Sequence, residues 1–352
     1  MSRFWSNTVH NLTPYIPGEQ SPDAKLIKLN TNENPYGPSP KVLAAIKEQA
    51  SDNLRLYPDP NGQALKNALA DYYQLQSNQV FVGNSSDEVL AHTFQALLKQ
   101  DLPLCFPDLT YGFYPVYCGL YDIEYRTVPL DENFQIELEA YPEQNGGIIF
   151  ANPNAPTGHT LTLPQIEKLL ERNTESVLVI DEAYVDFGAE SAMALIDQYD
   201  NLLVVQTLSK SRSLAGLRVG FACGQAPLIE ALERVKNSFN AYPLDRLALA
   251  GAVAAFEDED YFQKTCQKVI KTRQHTIEEL AKLGFDTLPS STNFVLTTHP
   301  RHNARQVFTD LREAAISVRY FDIPRIDNYL RISIGTDEEM QALIEALKPL
   351  VA

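Results

Sequence analysis

Residues 204–221 read VVQTLSKSRSLAGLRVGF. An apolar run rich in β-branched residues stops at small polar ones, and Lys210 follows with Thr207, Ser209 and Ser211 around it. A turn through Gly216 leads to Arg218 and a second apolar run. The first run suits a buried strand. A lysine at the end of such a strand, among residues too small to cover it, is placed for chemistry rather than for solvation.

The same texture extends upstream and downstream. QVFVG precedes SDEVLAHTFQALLK, LPLCF precedes YGFYPVYCGL, and GGIIFANP precedes LPQIEKLLERN. SVLVIDEAY leads into the opening stretch, and RVGFACG precedes APLIEALERVK. Near-continuous apolar strands between amphipathic helices predict an α/β fold with a mostly parallel sheet covered on both faces. Ahead of it, SPKVLAAIKEQA starts a helix with Ser39 as N-cap and Pro40 in the first turn. GQALKNALADYY places Leu65, Leu69 and Tyr72 on one helical face. The Pro-, Asn- and Gly-rich stretch up to Gly37 reads as an extended arm. Beyond Tyr242, a long helical region from about Leu244 to Leu283 leads into NFVLTTH, ARQVFTDLREA, SVRYF, YLRISIG and DEEMQALIEALKPL, a small α+β domain. With 352 residues the chain is long enough for two domains. The expected division is an arm at 1–37 contributing to the small domain, a large domain at 38–243 and a small one at 244–352.

The formal net charge is −16, so phosphate backbones are repelled and no nucleic-acid partner is expected. An anionic small ligand must meet a local cluster of basic groups. Four scattered cysteines, without C-x-x-C, suggest neither a zinc ribbon nor a disulfide scaffold and point to a reducing cytoplasm. MSRFWSNTVHNLTPY lacks the apolar core of a signal peptide, and no apolar run reaches membrane-spanning length, so no membrane partner is expected.

There is no phosphate-binding G-x-x-x-x-G-K-[ST], no G-x-G-x-x-G after a strand, no H-E-x-x-H and no G-x-S-x-G. The six histidines do not cluster, which leaves metal sites and Ser-His-Asp triads without support. What remains is a set of loops at predicted strand ends, where open α/β sheets bind ligands. GNSSDE (Gly83 to Glu88) opens a helix and suits a phosphate; taken alone it reads rather as an ordinary N-cap with Ser85 or Ser86. ANPNAPTG (Ala151 to Gly158) is a rigid turn. Asp181 of VIDEAYVDF ends an apolar strand, where a buried carboxylate needs a cationic partner or its pKa rises; an exposed strand-end acid is the plain alternative. Lys210 and Arg218 complete the set. A lysine for an aldehyde, a strand-end aspartate for a pyridinium nitrogen, and hydroxyls with an arginine for a phosphate are the parts of a pyridoxal-phosphate site.

TLSKSRSLAGLRVG resembles the cofactor-lysine segment of fold-type I pyridoxal-phosphate aminotransferases. ANPNAPTG resembles their N-P-x-N-P-T-G loop, and IDEAY their aspartate segment. NLTPYIPGEQ, KLNTNENPYGPSP, LRLYPDPNG, LTYGFY and LRISIGT narrow the resemblance to the histidinol-phosphate aminotransferase branch over essentially the whole chain. Aromatic aminotransferases and threonine-phosphate decarboxylases share parts of these motifs and remain alternatives. A non-catalytic binding module on the same scaffold is a further one.

The resemblance implies a fold-type I architecture, with a large three-layer αβα domain and a smaller α+β domain. It also implies transfer of an amino group between L-histidinol phosphate and 2-oxoglutarate, giving glutamate, on pyridoxal 5'-phosphate. Lys210 would link to the cofactor and move protons, Asp181 would meet the pyridine nitrogen, and Tyr184 would donate to the phenolic oxygen. Tyr111 would stack on the ring, while Ser86, Asp87, Ser209 and Arg218 would hold the phosphate. Tyr57 would reach the phosphate of a neighbouring subunit, making the unit a homodimer. Arg319 and Arg331 would bind substrate anions, and Tyr15 would close over the site. One position departs from the pattern: Ala155 stands where the family has Asn before P-T-G, and the adjacent Asn154 is expected to take over the contact to the phenolic oxygen.

Overall fold

The computed structural model describes residues 2–20 and 25–352. Its strands are β1 Ile27–Lys28, β2 Val80–Asn84, β3 Leu104–Pro107, β4 Tyr125–Val128, β5 Ile148–Ala151, β6 Leu178–Asp181, β7 Leu202–Thr207, β8 Val219–Gly224, β9 Asp286–Thr287, β10 Phe294–Thr298, β11 Ile316–Ser317, β12 Arg319–Tyr320 and β13 Leu330–Ser333. The α-helices are α1 Asn7–Asn11, α2 Pro40–Gln49, α3 Gln63–Tyr73, α4 Ser85–Thr93, α5 Tyr114–Tyr121, α6 Leu163–Arg172, α7 Ala226–Phe239, α8 Arg246–Phe256, α9 Glu259–Lys282, α10 Ala304–Glu313 and α11 Asp337–Leu347.

Seven strands form the main sheet in the order β2-β8-β7-β6-β5-β3-β4. Its pairs are parallel except at β8, which runs against both β2 and β7. Successive side chains alternate between two cores. Ile148, Phe150, Leu178, Ile180, Leu202 and Val204 enter one; Ile149, Val179, Leu203 and Val205 enter the other. Helices α2, α3, α6 and α8 close the first through residues such as Val42, Leu69, Ile166 and Ala252. Helices α4, α5 and α7 close the second through Leu90, Tyr117 and Leu232. Burial on both faces is why these strands read as unbroken apolar runs. The covering helices carry their own signals. In α6 the Thr162–Gln165 capping box fixes the start, and Ile166, Leu169 and Leu170 form the buried stripe.

A third core gathers Leu29 from the arm, Phe262, Cys266 and Val269 from α9, and Leu311, Ile332 and Leu343 from the C-terminal elements. β9, β10, β12 and β13 make an antiparallel sheet there, and β1 pairs in parallel with β11, which ties the arm to this domain.

Several expectations need correction. The change of texture at 243/244 does not divide the cores. Leu244, Ala248, Ala252 and Phe256 pack with Val42 and Leu65, so α8 belongs to the large domain. Its small residues allow this close approach: a Cβ on Gly251 would lie 2.8 Å from a Leu217 methyl and 3.1 Å from Ile46. The helical region also breaks at Glu257 and Asp258 between α8 and α9. The arm is not wholly extended, because Ser6 caps the short α1. SVRYF divides into β11 and β12, which belong to different sheets.

Candidate active site

Strand register sets the site. Ala151 pairs with Asp181, Asp181 with Val205, Thr207 with Gly220, and Val219 with Asn84. The C-terminal ends of β5, β6, β7 and β2 therefore line up along one sheet edge, beside the start of β8. A cavity of about 260 Å³ lies over that edge, lined by Ser86, Asp87, Tyr111, Asp181, Tyr184, Ser209, Lys210 and Arg218 among others.

One end is built for an anion. Ser85 opens α4 in the left-handed region, with φ +66°, and its N–H donates to the Arg218 carbonyl at 2.7 Å. Arg218, also left-handed, turns its guanidinium back to donate to Ser85 Oγ at 2.9 Å and Asp87 Oδ2 at 2.7 Å. Gly220 makes this possible: a Cβ there would stand 2.3 Å from the Ser86 nitrogen. The start of a helix beside an arginine favours a phosphate electrostatically and offers it N–H donors. Thr207 Oγ1 donates to Ser209 Oγ at 2.9 Å on the adjoining wall.

The middle holds Asp181, only 4% exposed. Tyr114 donates its hydroxyl to Oδ2 at 3.0 Å, while Oδ1 is buried and has no hydrogen-bond partner among the described residues. Burial pushes the carboxyl up to about 6; Tyr114 and the Ala183 N–H pull it down, and the Asp87 charge pushes it up. A buried oxygen of this kind is costly unless a donor meets it. Tyr111 donates its hydroxyl to Asp87 Oδ1 at 3.1 Å and packs edge-on against Tyr114.

At the other end Lys210 Nζ donates to the Thr31 carbonyl at 3.1 Å and lies 5.9 Å from the Tyr184 ring centroid. Asn32 donates its side-chain N–H to the Tyr184 hydroxyl at 3.0 Å. Its own backbone is left-handed and fastened by Ser333 and Asn293. Beyond it, Arg319 and Arg331 are direct partners across β12 and β13. Like charges in that register repel, and among the described residues neither has a carboxylate within ion-pair distance. Arg331 donates to the Asn30 carbonyl at 3.0 Å, its buried Nε has no partner among the described residues, and burial lowers its pKa. The Tyr15 ring lies 4.9 Å from Phe113 and 6.4 Å from Tyr111, so the arm passes along the cavity wall.

Two expected residues stand apart. Asn154 donates to the Leu109 carbonyl at 2.9 Å and Thr157 Oγ1 at 3.1 Å, and accepts from Thr110 at 2.9 Å. With its amide committed to closing its own loop, it cannot take over the contact expected of it; Ala155 faces the cavity instead. Tyr57 is 78% exposed and stacks on Tyr242, away from this chain's own cavity. Sequence reasoning missed Thr31, Asn32, Ser85 and Tyr114. The NTNEN run is the signal for the first two, because consecutive small polar residues suit a segment that must bond to several neighbours. Ser85 lies within GNSSDE but opens α4 after Asn84 as its N-cap, and nothing in the sequence marks Tyr114 out from other packed tyrosines.

The family described as aminotransferase class I and II matches residues 24–347. The chain belongs to that family. Among its relatives, a histidinol-phosphate aminotransferase 1 from Pseudomonas aeruginosa is 62% identical over 347 residues, covering 99% of each chain. One of the same name from Methylococcus capsulatus is 60% identical over 352 residues, covering 100% of this chain and 99% of its own. Among solved structures, the Sinorhizobium meliloti histidinol-phosphate aminotransferase in complex with pyridoxal-5'-phosphate superposes with a TM-score of 0.89 at 25% identity, covering 100% of this chain and 98% of that one. The aminotransferase cavity described above fits such a group. It offers an anion cradle that Gly220 keeps open, an unpartnered carboxylate oxygen at Asp181 and a primary amine at Lys210.

Proposed function

We propose that this chain transfers an amino group between L-histidinol phosphate and 2-oxoglutarate, forming imidazole acetol phosphate and glutamate in histidine biosynthesis, with pyridoxal 5'-phosphate as resident cofactor. The observation that carries this reading is the set of groups in one cavity: the Arg218 anion site, the unpartnered Asp181 oxygen and the Lys210 amine. The full-length likeness to relatives named for this reaction supports the choice of substrate.

Pyridoxal 5'-phosphate, when bound, supplies an aldehyde that carries the amino group and a ring that accepts electrons. The protein's residues do the rest. Arg218, Ser86, Ser209 and the first turn of α4 would bind the phosphate. Asp181 Oδ1 would accept from the ring nitrogen and hold a proton there. Tyr184, oriented by Asn32, would offer its hydroxyl to the phenolic oxygen, and Tyr111 would cover a ring face. Lys210 Nζ would take the proton from the amine-bearing carbon of the donor and, in the second half-reaction, give one to the keto carbon of the acceptor. The amine and the keto acid enter in turn, so one pocket must bind a phosphate and a dicarboxylate alternately. Arg319 and Arg331 are suited to both, since a guanidinium pairs with either anion and their mutual repulsion is relieved by binding one. Tyr15 shields this step from water.

A homodimer belongs to the same reading, with the exposed Tyr57 completing the phosphate site of the second copy. So does a cytoplasmic location, consistent with four free, buried cysteines among the described residues. No described helix is long and apolar enough to cross a membrane. Purified protein given L-histidinol phosphate and 2-oxoglutarate is expected to form glutamate, faster than with phenylalanine or tyrosine and without releasing carbon dioxide from threonine phosphate. Failure to form glutamate from histidinol phosphate overturns the assignment.

A further inference from the structure

Two residues beyond Lys210, the Arg212 guanidinium is buried where the domain cores meet. Its Cζ lies 3.8 Å from the ring centroids of both Phe256 and Phe262, and Tyr72 stands 5.2 Å away. Phe256 ends α8 and belongs to the large core; Phe262 lies in the first turn of α9 and belongs to the small one. The guanidinium donates to the Ala255 carbonyl at 2.6 Å, and the Glu259 carboxylate is 3.9 Å away. Asp186 adds a second negative charge nearby and accepts from Ser211 Oγ at 2.5 Å. Asn34 donates to the carbonyls of both Lys210 and Ser211, at 3.0 and 3.1 Å. The lysine loop is therefore tied to the arm, to the segment after β6 and, through Arg212, to the α8–α9 junction.

Packing alone does not call for a cation here. An apolar side chain between two phenylalanines avoids the desolvation that a buried guanidinium suffers. What the guanidinium adds is direction: two flat faces, one for each ring, and an N–H aimed at the last turn of α8. We propose that Arg212 is a positioning residue which locks the Lys210 loop to the junction between the two domain cores, so that the loop and the junction move as one body. The consequence for catalysis rests on the reading of Lys210 given above; the mechanical coupling does not. Seating of the small domain, which carries Arg319 and Arg331, is then transmitted to the lysine amine.

Amide hydrogen exchange on the full-length protein tests the coupling, with kcat and KM measured alongside. Arg212→Met fills the space between the rings without charge or directed N–H. It is expected to raise exchange together in residues 208–214 and 256–262, leaving 80–94 unchanged. It is also expected to lower kcat roughly tenfold to a hundredfold while KM for both substrates stays within about twofold, the pattern of a misplaced reacting group. Arg212→Lys, which keeps the charge but not the planar faces, is expected not to restore kcat. Phe262→Leu keeps Arg212 and loses one ring face; it is expected to give the same paired rise in exchange, and it decides the matter if Arg212→Met does not fold. A rise confined to one segment, or a lowered Tm with unchanged kcat and exchange, overturns the proposal. If the protein proves inactive on histidinol phosphate, the paired exchange still reports on Arg212, so the two failures are distinguishable.

Discussion

A carboxylate oxygen without a donor inside a folded protein destabilises that protein unless a ligand meets it, and Asp181 Oδ1 is such an atom. Burial raises the carboxyl to about 6 from the ordinary 3.8. The native chain therefore binds more protons than the unfolded one between about pH 4 and 6. Its contribution to stability is fully present below about pH 4 and lost as pH rises through about 6, on the order of 2–3 kcal/mol. Thermal unfolding of the cofactor-free protein should show this loss, and Asp181→Asn should remove that share of it. Bound pyridoxal 5'-phosphate, by donating to Oδ1, should flatten the same window. At the anion end, Arg218→Lys keeps a charge but not the two-pronged donor, and should weaken cofactor affinity about tenfold to a hundredfold in a fluorescence titration. That Lys210, Asp181 and Arg218 meet in one cavity was legible from residue type and strand-end position. Asn154 was misread because a turn, not the sequence of its residues, decides which side chain faces out. Asn32 depends on Ser333 and Asn293, contacts made across almost the whole chain, which no local pattern reveals.

Between elements, the decisive contact is β8 against the first turn of α4. Gly220 has no room for a methyl group, so Gly220→Ala must push the helix start away from the strand. A loss of about 1–3 kcal/mol in stability is expected, with weaker cofactor binding in the same variant. Denaturant unfolding and the cofactor titration measure the two effects. The three-layer arrangement was readable because strands buried on both faces leave unbroken apolar runs and their covering helices carry caps and stripes. The place of α8 was not, since small residues such as those of ALAGAVAAF give no sign of which core they approach.

Across the molecule, an acidic chain sets three arginines near the cavity: Arg218 in its lining, and Arg319 and Arg331 paired on neighbouring strands beyond Asn32. Tyr57, exposed and stacked on Tyr242, is the residue proposed to reach the second copy. Sedimentation should show a dimer, and Tyr57→Ala should lower cofactor affinity by about tenfold, the size of one hydrogen bond to a charged group, while leaving the dimer intact. Lys210, at the end of β7, is proposed to hold the aldehyde of a pyridoxal phosphate. Borohydride reduction of the cofactor-loaded protein followed by peptide mapping decides this. The reduced cofactor should be found on the peptide containing Lys210 and nowhere else; its appearance on another lysine, or no covalent trapping at all, would rule Lys210 out.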